Sequence, residues 1–303
     1  VLEINTNNFV EIGPFKKEVE SKGNFLFKGR PEDFTKVKSK IYDEMPLAYP
    51  IYTMGLHKEG FWTWANGLAV DNKFHPVDEF GVVAYKDMKY YLPAFSTLAE
   101  QIKSDDMDQS YEDEKFYVFT EGDPGISFKD WTLLLLHVYG ENAYMAIGYY
   151  CAALFRDIVF ERLDGMFPHL NFFGMPGTGK NQLAQSICAP FGKFRPPVHI
   201  VNATDAAFSR RPAQIRNGIA WFDEYSNNID HKRVEALKMF ADGTGRAKAQ
   251  LDNNQRTTST PINAACIISG QQQPTLDIAL FTRCISLSFG IREFSATKDR
   301  HST

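Results

Sequence analysis

Apolar positions change rhythm along the chain. Up to about residue 100 they come as short runs broken by turn residues: Phe25-Leu26-Phe27, Phe61 to Trp64, Gly81-Val82-Val83 and Tyr90-Tyr91-Leu92. Such runs, bounded by Gly, Asn and Asp, predict strands. Asn66-Gly67 is a hairpin turn signal between two of them, and Asp71-Asn72 marks another turn. Pro31 opens a helical stretch with Phe34, Val37 and Ile41 on one face. Trp62 and Trp64 alternate as strand residues do. Core packing is the simpler use of that face, and stacking on a base is the sharper one.

Beyond about residue 126 the pattern becomes compact apolar blocks separated by helical periodicities. Ser127 to Asp130 has the form of a capping box, with Asp where Glu or Gln is usual, and predicts a helix over Trp131–Val138. Ala143, Ile147, Tyr150, Leu154 and Ile158 form one stripe and predict a single long helix over 141–160. Leu170 to Phe173, Val198 to Val201, Ile219 to Phe222, Ala264 to Ile268 and Cys284 to Phe289 predict buried strands. Between them Thr204 caps one helix. A second runs from Asp230 to Ala241 with Val234, Leu237, Met239 and Phe240 inward. Strands alternating with helices predict a mainly parallel sheet flanked by helices. The acidic run 104–114 reads as a solvated linker. The chain is thus expected to divide into a small strand-rich α+β domain, 1–125, and an α/β domain, 126–303.

The candidate chemistry sits where strands end. Asn171 to Lys180 reads NFFGMPGTGK: a strand signal, a glycine-rich turn, then a helix. Gly174, Gly177, Thr178, Gly179 and Lys180 have the spacing of a phosphate-binding loop. Glycines let successive N–H groups converge on an anion, the helix N-terminus adds positive charge, and the lysine reaches the β- and γ-phosphates. Asn181 stands where a Ser or Thr hydroxyl ordinarily meets Mg²⁺; its carbonyl can ligate the ion, less compactly. A heptapeptide of this kind also arises by chance, so the strand–loop–helix setting carries part of the weight.

Asp223-Glu224 ends the apolar strand Ile219 to Phe222. Carboxyl ends of parallel strands line the ligand crevice, so Asp223 is placed to hold Mg²⁺ and Glu224 to orient or activate water. Alone, the pair is also an ordinary acidic turn. Ile267 to Gln271 ends another strand in polar residues, with Ser269 or Gln271 as candidates to meet the γ-phosphate or the water. Arg283 is a candidate arginine finger or a structural ion pair. Arg246 and Lys248 alternate in a polar segment, with Asn253-Asn254 as a candidate hairpin tip. Read functionally they meet phosphates of a single strand; read plainly they belong to a solvated loop.

Composition narrows the class. The 303 residues, 44% hydrophobic and 23% charged, suit two globular domains. No apolar run is long enough to span a membrane, since 143–160 contains Arg156 and Asp157. No leader pattern opens the chain, and its start on Val1 predicts a piece of a longer protein. The net charge of −4 argues against a broad nucleic-acid-binding surface while leaving a narrow basic channel open. Cys151, Cys188, Cys266 and Cys284 lie far apart in apolar segments and read as reduced core residues of a cytoplasmic protein, not a zinc site.

Taken in order, FGMPGTGK, WFDEY, the basic segment, IISGQQQP and LFTRC resemble the ATPase domain of superfamily-three helicases, within the AAA+ class. More narrowly they resemble the helicase part of primase-helicases of phages and mobile elements. The resemblance covers about 126–291. It implies an AAA+-type P-loop fold, ATP and Mg²⁺ as cofactors, and a homo-oligomeric ring, hexameric in the family. It also implies single-stranded DNA as the partner and no membrane. By the same resemblance the phosphate-loop role falls on Gly174 to Lys180 and the acidic pair on Asp223 and Glu224. The polar sensor falls on Gln271, the arginine finger on Arg283 and the DNA-moving hairpin near Arg246 and Lys248. Asn181 and Gln271 depart from the family pattern. The rival reading is an AAA+ ATPase that remodels proteins or acts as a nucleotide switch.

Overall fold

The computed structural model describes residues 4, 6–44, 47–95, 117–120, 122, 125–192, 196–249 and 257–290. They form two compact units, 1–52 with 60–118, and 53–59 with 119–303.

In the first unit, helices α1 (Ile12–Ser21) and α2 (Pro31–Glu44) enclose an apolar core of Phe15, Val19 and Phe34. Phe25 to Phe27 forms no strand. An isolated apolar triplet has no partner to pair with, and Phe27 is instead turned onto Phe15, edge to face at 5.1 Å. Strand β1 (Tyr49–Pro50) runs parallel to β7 (Met88–Tyr91), which pairs antiparallel with β6 (Val82–Tyr85). Strands β3 (Trp62–Trp64), β4 (Gly67–Val70) and β5 (Lys73–Pro76) form an antiparallel meander. Trp64 pairs with Gly67, so the first turn is Ala65-Asn66, one residue earlier than expected. Asp71 and Asn72 both take positive φ, 49° and 60°, as a tight hairpin of this kind requires. Trp62 and Trp64 are half-buried.

Strand β2 (Met54–Leu56) belongs to the second unit, where it runs parallel to β10 (Ile215–Arg216). That unit begins with α3 (Phe128–Tyr139), capped as expected by the Ser127 hydroxyl, which accepts from the Asp130 amide at 3.1 Å. The single long helix expected next is two: α4 (Glu141–Leu154) and α5 (Arg156–Arg162), bent by 96°. The buried Asn217 side chain explains the break. Its Nδ2 donates to the Leu154 carbonyl at 3.1 Å and to Asp157 Oδ1 at 2.7 Å, and its Oδ1 accepts from the Asp157 amide at 3.3 Å. Backbone groups that a continuous helix would pair internally are satisfied from 63 and 60 positions away along the chain.

The rest alternates between strands and helices: β8 (His169–Gly174), α6 (Lys180–Cys188), β9 (Val198–His199), α7 (Asp205–Ala213) and β11 (Ile219–Tyr225). It continues with α8 (His231–Ala241), β12 (Thr244–Ala249), β13 (Thr257–Pro261), β14 (Ala265–Gly270), α9 (Ile278–Phe281) and β15 (Cys284–Phe289). Strands β15-β8-β14-β11-β9 make one sheet, parallel throughout, flanked by helices. Leu170, Phe172, Phe222 and Ile267 are fully buried in it. The chain leaves β8 for the β9 edge, returns through β11 and β14, and crosses to β15. The connections that leave the neighbouring strands β8 and β14 therefore run in opposite directions, and loops after β8, β11 and β14 share one end of the sheet.

Several side chains differ from expectation: Val201 lies beyond the end of β9 and is exposed. Met239 is exposed, since Val234, Leu237 and Phe240 already fill the inner face of α8. Cys151 is exposed on α4 and is no core residue, while Cys266 is buried; none of the four cysteines is in a disulfide. Among the described residues no single helix is long and apolar enough to cross a membrane.

Candidate functional site

The loop between β8 and α6 is shaped by its glycines. Gly174 has φ 144°, and a Cβ there would stand 2.2 Å from the Phe289 carbonyl on β15. Gly177 and Gly179 have φ 77° and 86°. Gly179 is the N-cap of α6 and brings no side-chain cap, so the first-turn N–H groups of α6 face the loop. Thr178 Oγ1 donates to the Met175 carbonyl at 2.8 Å. Lys180 Nζ spans the concavity, donating to the Gly174 and Met175 carbonyls at 2.9 and 2.7 Å. Burial pushes its ammonium below the ordinary lysine value, and the charge of Asp223 pulls the other way.

The acids come in from β11. Asp223 and Glu224 share with Gly177 to Asn181 and Gln271 the lining of an open cavity of about 700 Å³. Asp223 Oδ2 accepts from Asn181 Nδ2 at 2.7 Å, and Asp223 Oδ1 accepts from Ser269 Oγ at 2.6 Å. Glu224 has φ 66°, a conformation rare for a side chain of this kind, at a register shift in the β11–β14 ladder. The bulge turns Glu224 towards the cavity, with its Oε2 3.2 Å from His199 Nδ1 on β9. Gly270 answers the bulge: a Cβ there would meet the Tyr225 carbonyl at 2.2 Å.

Most expected site residues thus converge. Arg283 does not join them in its own chain. It precedes β15, at the end of the sheet opposite the phosphate loop. Its Nε and Nη2 donate to the two oxygens of Asp242 at 3.0 Å each, and Nη1 donates to the Ala279 carbonyl at 2.9 Å. The hydrogen-bonded Asp242 carboxylate raises its already high pKa. Arg246 and Lys248 lie on β12, which pairs antiparallel with β13; the candidate tip Asn253-Asn254 lies outside the described residues. Ser269 is fully buried and bonded to Asp223, so it is Asp223 that it meets, not the γ-phosphate or the water. Sequence reasoning missed His199. Its only signal was a polar residue in the middle of a short apolar strand.

The donor set suits magnesium. Among the described residues no three His, Cys, Asp or Glu side chains gather as a metal cage. Mg²⁺ needs none, because one or two carboxylates, nucleotide phosphates and water complete its shell. Asp223, bonded to Asn181 beside the loop, is a carboxylate that could serve in this way.

Residues 162–275 match the family model described as parvovirus non-structural protein NS1. The match spans less than half of the chain and supports a helicase-type ATPase segment. The match takes in the loop between β8 and α6, Asp223 and Glu224, and the strands β12 and β13, and stops before Arg283. A solved structure described as SCCmec type IV Cch, an active helicase, is 16% identical with a TM-score of 0.47, over 90% of this chain and 47% of that one. NtrX from Brucella abortus in complex with ATP is 16% identical with a TM-score of 0.30, over 62% of this chain and 48% of that one. The chain therefore spans about half the length of either protein. No curated protein matches it.

Proposed function

We propose that this chain is the ATP-driven DNA helicase or translocase part of a replication protein of a phage or mobile element. It works as a homo-oligomeric ring, hexameric, with ATP and Mg²⁺ bound between subunits. Gly174, Gly177, Thr178, Gly179 and Lys180 hold the phosphates. Asp223, with Asn181, holds Mg²⁺, which when bound neutralises charge on the β- and γ-phosphates. Glu224 orients the attacking water and takes its proton as the bond between the γ-phosphorus and its bridging oxygen breaks. Gln271 senses the γ-phosphate from the end of β14. The convergence of Lys180, Asp223 and Glu224 on one cavity carries this reading. The test is ATPase activity with and without single-stranded DNA. Strong stimulation is expected; an ATPase indifferent to DNA points to the protein-remodelling or switch reading instead.

The strands β12 and β13 carry the proposed DNA-binding face. Exchanging both Arg246 and Lys248 for Ala is expected to weaken single-strand binding. It should also lower the log–log salt slope by roughly 0.7 for each phosphate that is no longer neutralised. Basal ATPase without DNA should survive. Binding and slope equal to the parent's would place the channel elsewhere.

Arg283 is proposed to act on ATP held by the next subunit, released from Asp242 when the interface forms. Arg283→Ala should bind ATP and hydrolyse it poorly. Mixing it with Lys180→Ala subunits should restore activity, because some interfaces then hold one intact lysine and one intact arginine. If subunits exchange and the mixture is no more active than its parts, the Asp242 pair is the whole of Arg283's role.

A further inference from the structure

The Asp223 carboxylate is gripped from two elements, and one grip is fully buried. Trp221 precedes Asp223 by two positions on β11, so their side chains share a face of the strand. The Trp221 indole Nε1–H donates to Ser269 Oγ at 2.7 Å. An indole nitrogen only donates, so the hydroxyl accepts from it and has its own proton to give. Two acceptors lie within reach: Asp223 Oδ1 at 2.6 Å and the Phe222 carbonyl at 3.5 Å. Distance and charge both select the carboxylate. Ser269 is 0% exposed and Trp221 7% exposed. The other carboxylate oxygen takes the Asn181 amide at 2.7 Å. With one charge-assisted bond on each oxygen, the plane of the Asp223 carboxylate is fixed between β14 and α6.

We propose that Ser269, oriented by Trp221, is a positioning residue for ATP hydrolysis: it sets the Asp223 carboxylate in the orientation that receives Mg²⁺. This rests on the reading of the site given above. Ser269 touches neither nucleotide nor water; it acts through Asp223. Its hydroxyl has one rotor, and the indole fixes it, so the chain Trp221–Ser269–Asp223 has a single direction of donation. A serine that merely satisfied itself in the core would leave metal binding untouched when removed.

The test uses the full chain with Ser269→Ala, Ser269→Thr and Trp221→Phe. Without magnesium, Ser269→Ala should bind ADP as the parent does. The Mg²⁺ concentration that half-saturates the tightening of ADP binding should rise about tenfold, as loss of an outer partner of a metal ligand does elsewhere. At saturating Mg²⁺, kcat should fall about tenfold with the KM for ATP little changed. Ser269→Thr keeps the hydroxyl and should restore both. Trp221→Phe removes the orienting donor and should give a smaller shift of the same sign.

A second readout needs no nucleotide. The Trp221 indole N–H resonance, identified by its loss in Trp221→Phe, should move in Asp223→Asn as well as in Ser269→Ala. A resonance blind to Asp223→Asn overturns the relay even if Ser269→Ala folds poorly. A parent protein that binds no nucleotide sinks the ATPase reading, and Ser269's role with it. A parent that binds Mg²⁺ and ADP normally, with Ser269→Ala and Trp221→Phe indistinguishable from it, sinks the relay alone.

Discussion

Replacing Lys180 by alanine is expected to abolish nucleotide binding while leaving the fold nearly as stable as before. The ammonium is the cation built into the phosphate loop, held 2.9 and 2.7 Å from the Gly174 and Met175 carbonyls. Burial lowers its pKa and Asp223 raises it. A charged hydrogen bond to phosphate contributes roughly 1.5–3 kcal/mol, so a lysine meeting two phosphates is expected to cost at least about a hundredfold in affinity. The carbonyls it leaves behind belong to Gly174, half-buried, and Met175, exposed, and water can take over. The stability loss should therefore stay within about 1 kcal/mol. Titration with a fluorescent ADP analogue, beside a thermal melt, separates the two effects. A Lys180→Ala protein that binds as tightly as its parent would remove the phosphate loop from the argument. One that melts far earlier would show the lysine to be chiefly a structural clasp for the loop.

What was legible in the sequence is what is encoded locally. The phosphate loop announced itself because positive φ and close approach to Phe289 leave only glycine at Gly174, and because the strand and helix on either side have unambiguous periods. The β15 block Cys284 to Phe289 was read to its end residues, because apolar residues alternate with Ser286 and Ser288 between Arg283 and Gly290, as suits an edge strand paired on one side with β8. The break between α4 and α5 was invisible, because the apolar stripe continues across it and the deciding residue, Asn217, is remote. Side-chain direction was equally hidden. IISGQ shows a strand ending in polar residues, but only the register of β14 against β11 tells that Ser269 turns inward to Asp223 while Gln271 lines the cavity. Arg283 carried two readings in the sequence, and its own-chain partner Asp242 is a tertiary fact.

Glu224→Gln should bind ATP within a few-fold of the parent and hydrolyse it at least about a hundredfold more slowly, the scale set by loss of a general base. The two side chains have the same shape, so the cavity and the grip on Asp223 survive. What is lost is the carboxylate that accepts the proton of the attacking water. The pair with His199, 3.2 Å long between groups about half exposed, contributes little to stability, so the melting temperature should barely move. The backbone offers a second, independent check. Glu224 sits at φ 66°, a conformation that costs a non-glycine residue roughly 1–3 kcal/mol and persists where the surroundings impose it. Glycine takes that φ freely. Glu224→Gly should therefore be inactive, yet at least as stable as Glu224→Gln, with a gain of up to about 1 kcal/mol net of glycine's greater unfolded-state entropy. Stability held at an acid's expense in this way is the pattern expected where strain aims a side chain at chemistry. If Glu224→Gln turns over ATP at the parent rate, the base lies elsewhere in the cavity. If Glu224→Gly is markedly less stable than Glu224→Gln, the side chain is holding the bulge together and its strained backbone has a structural cause.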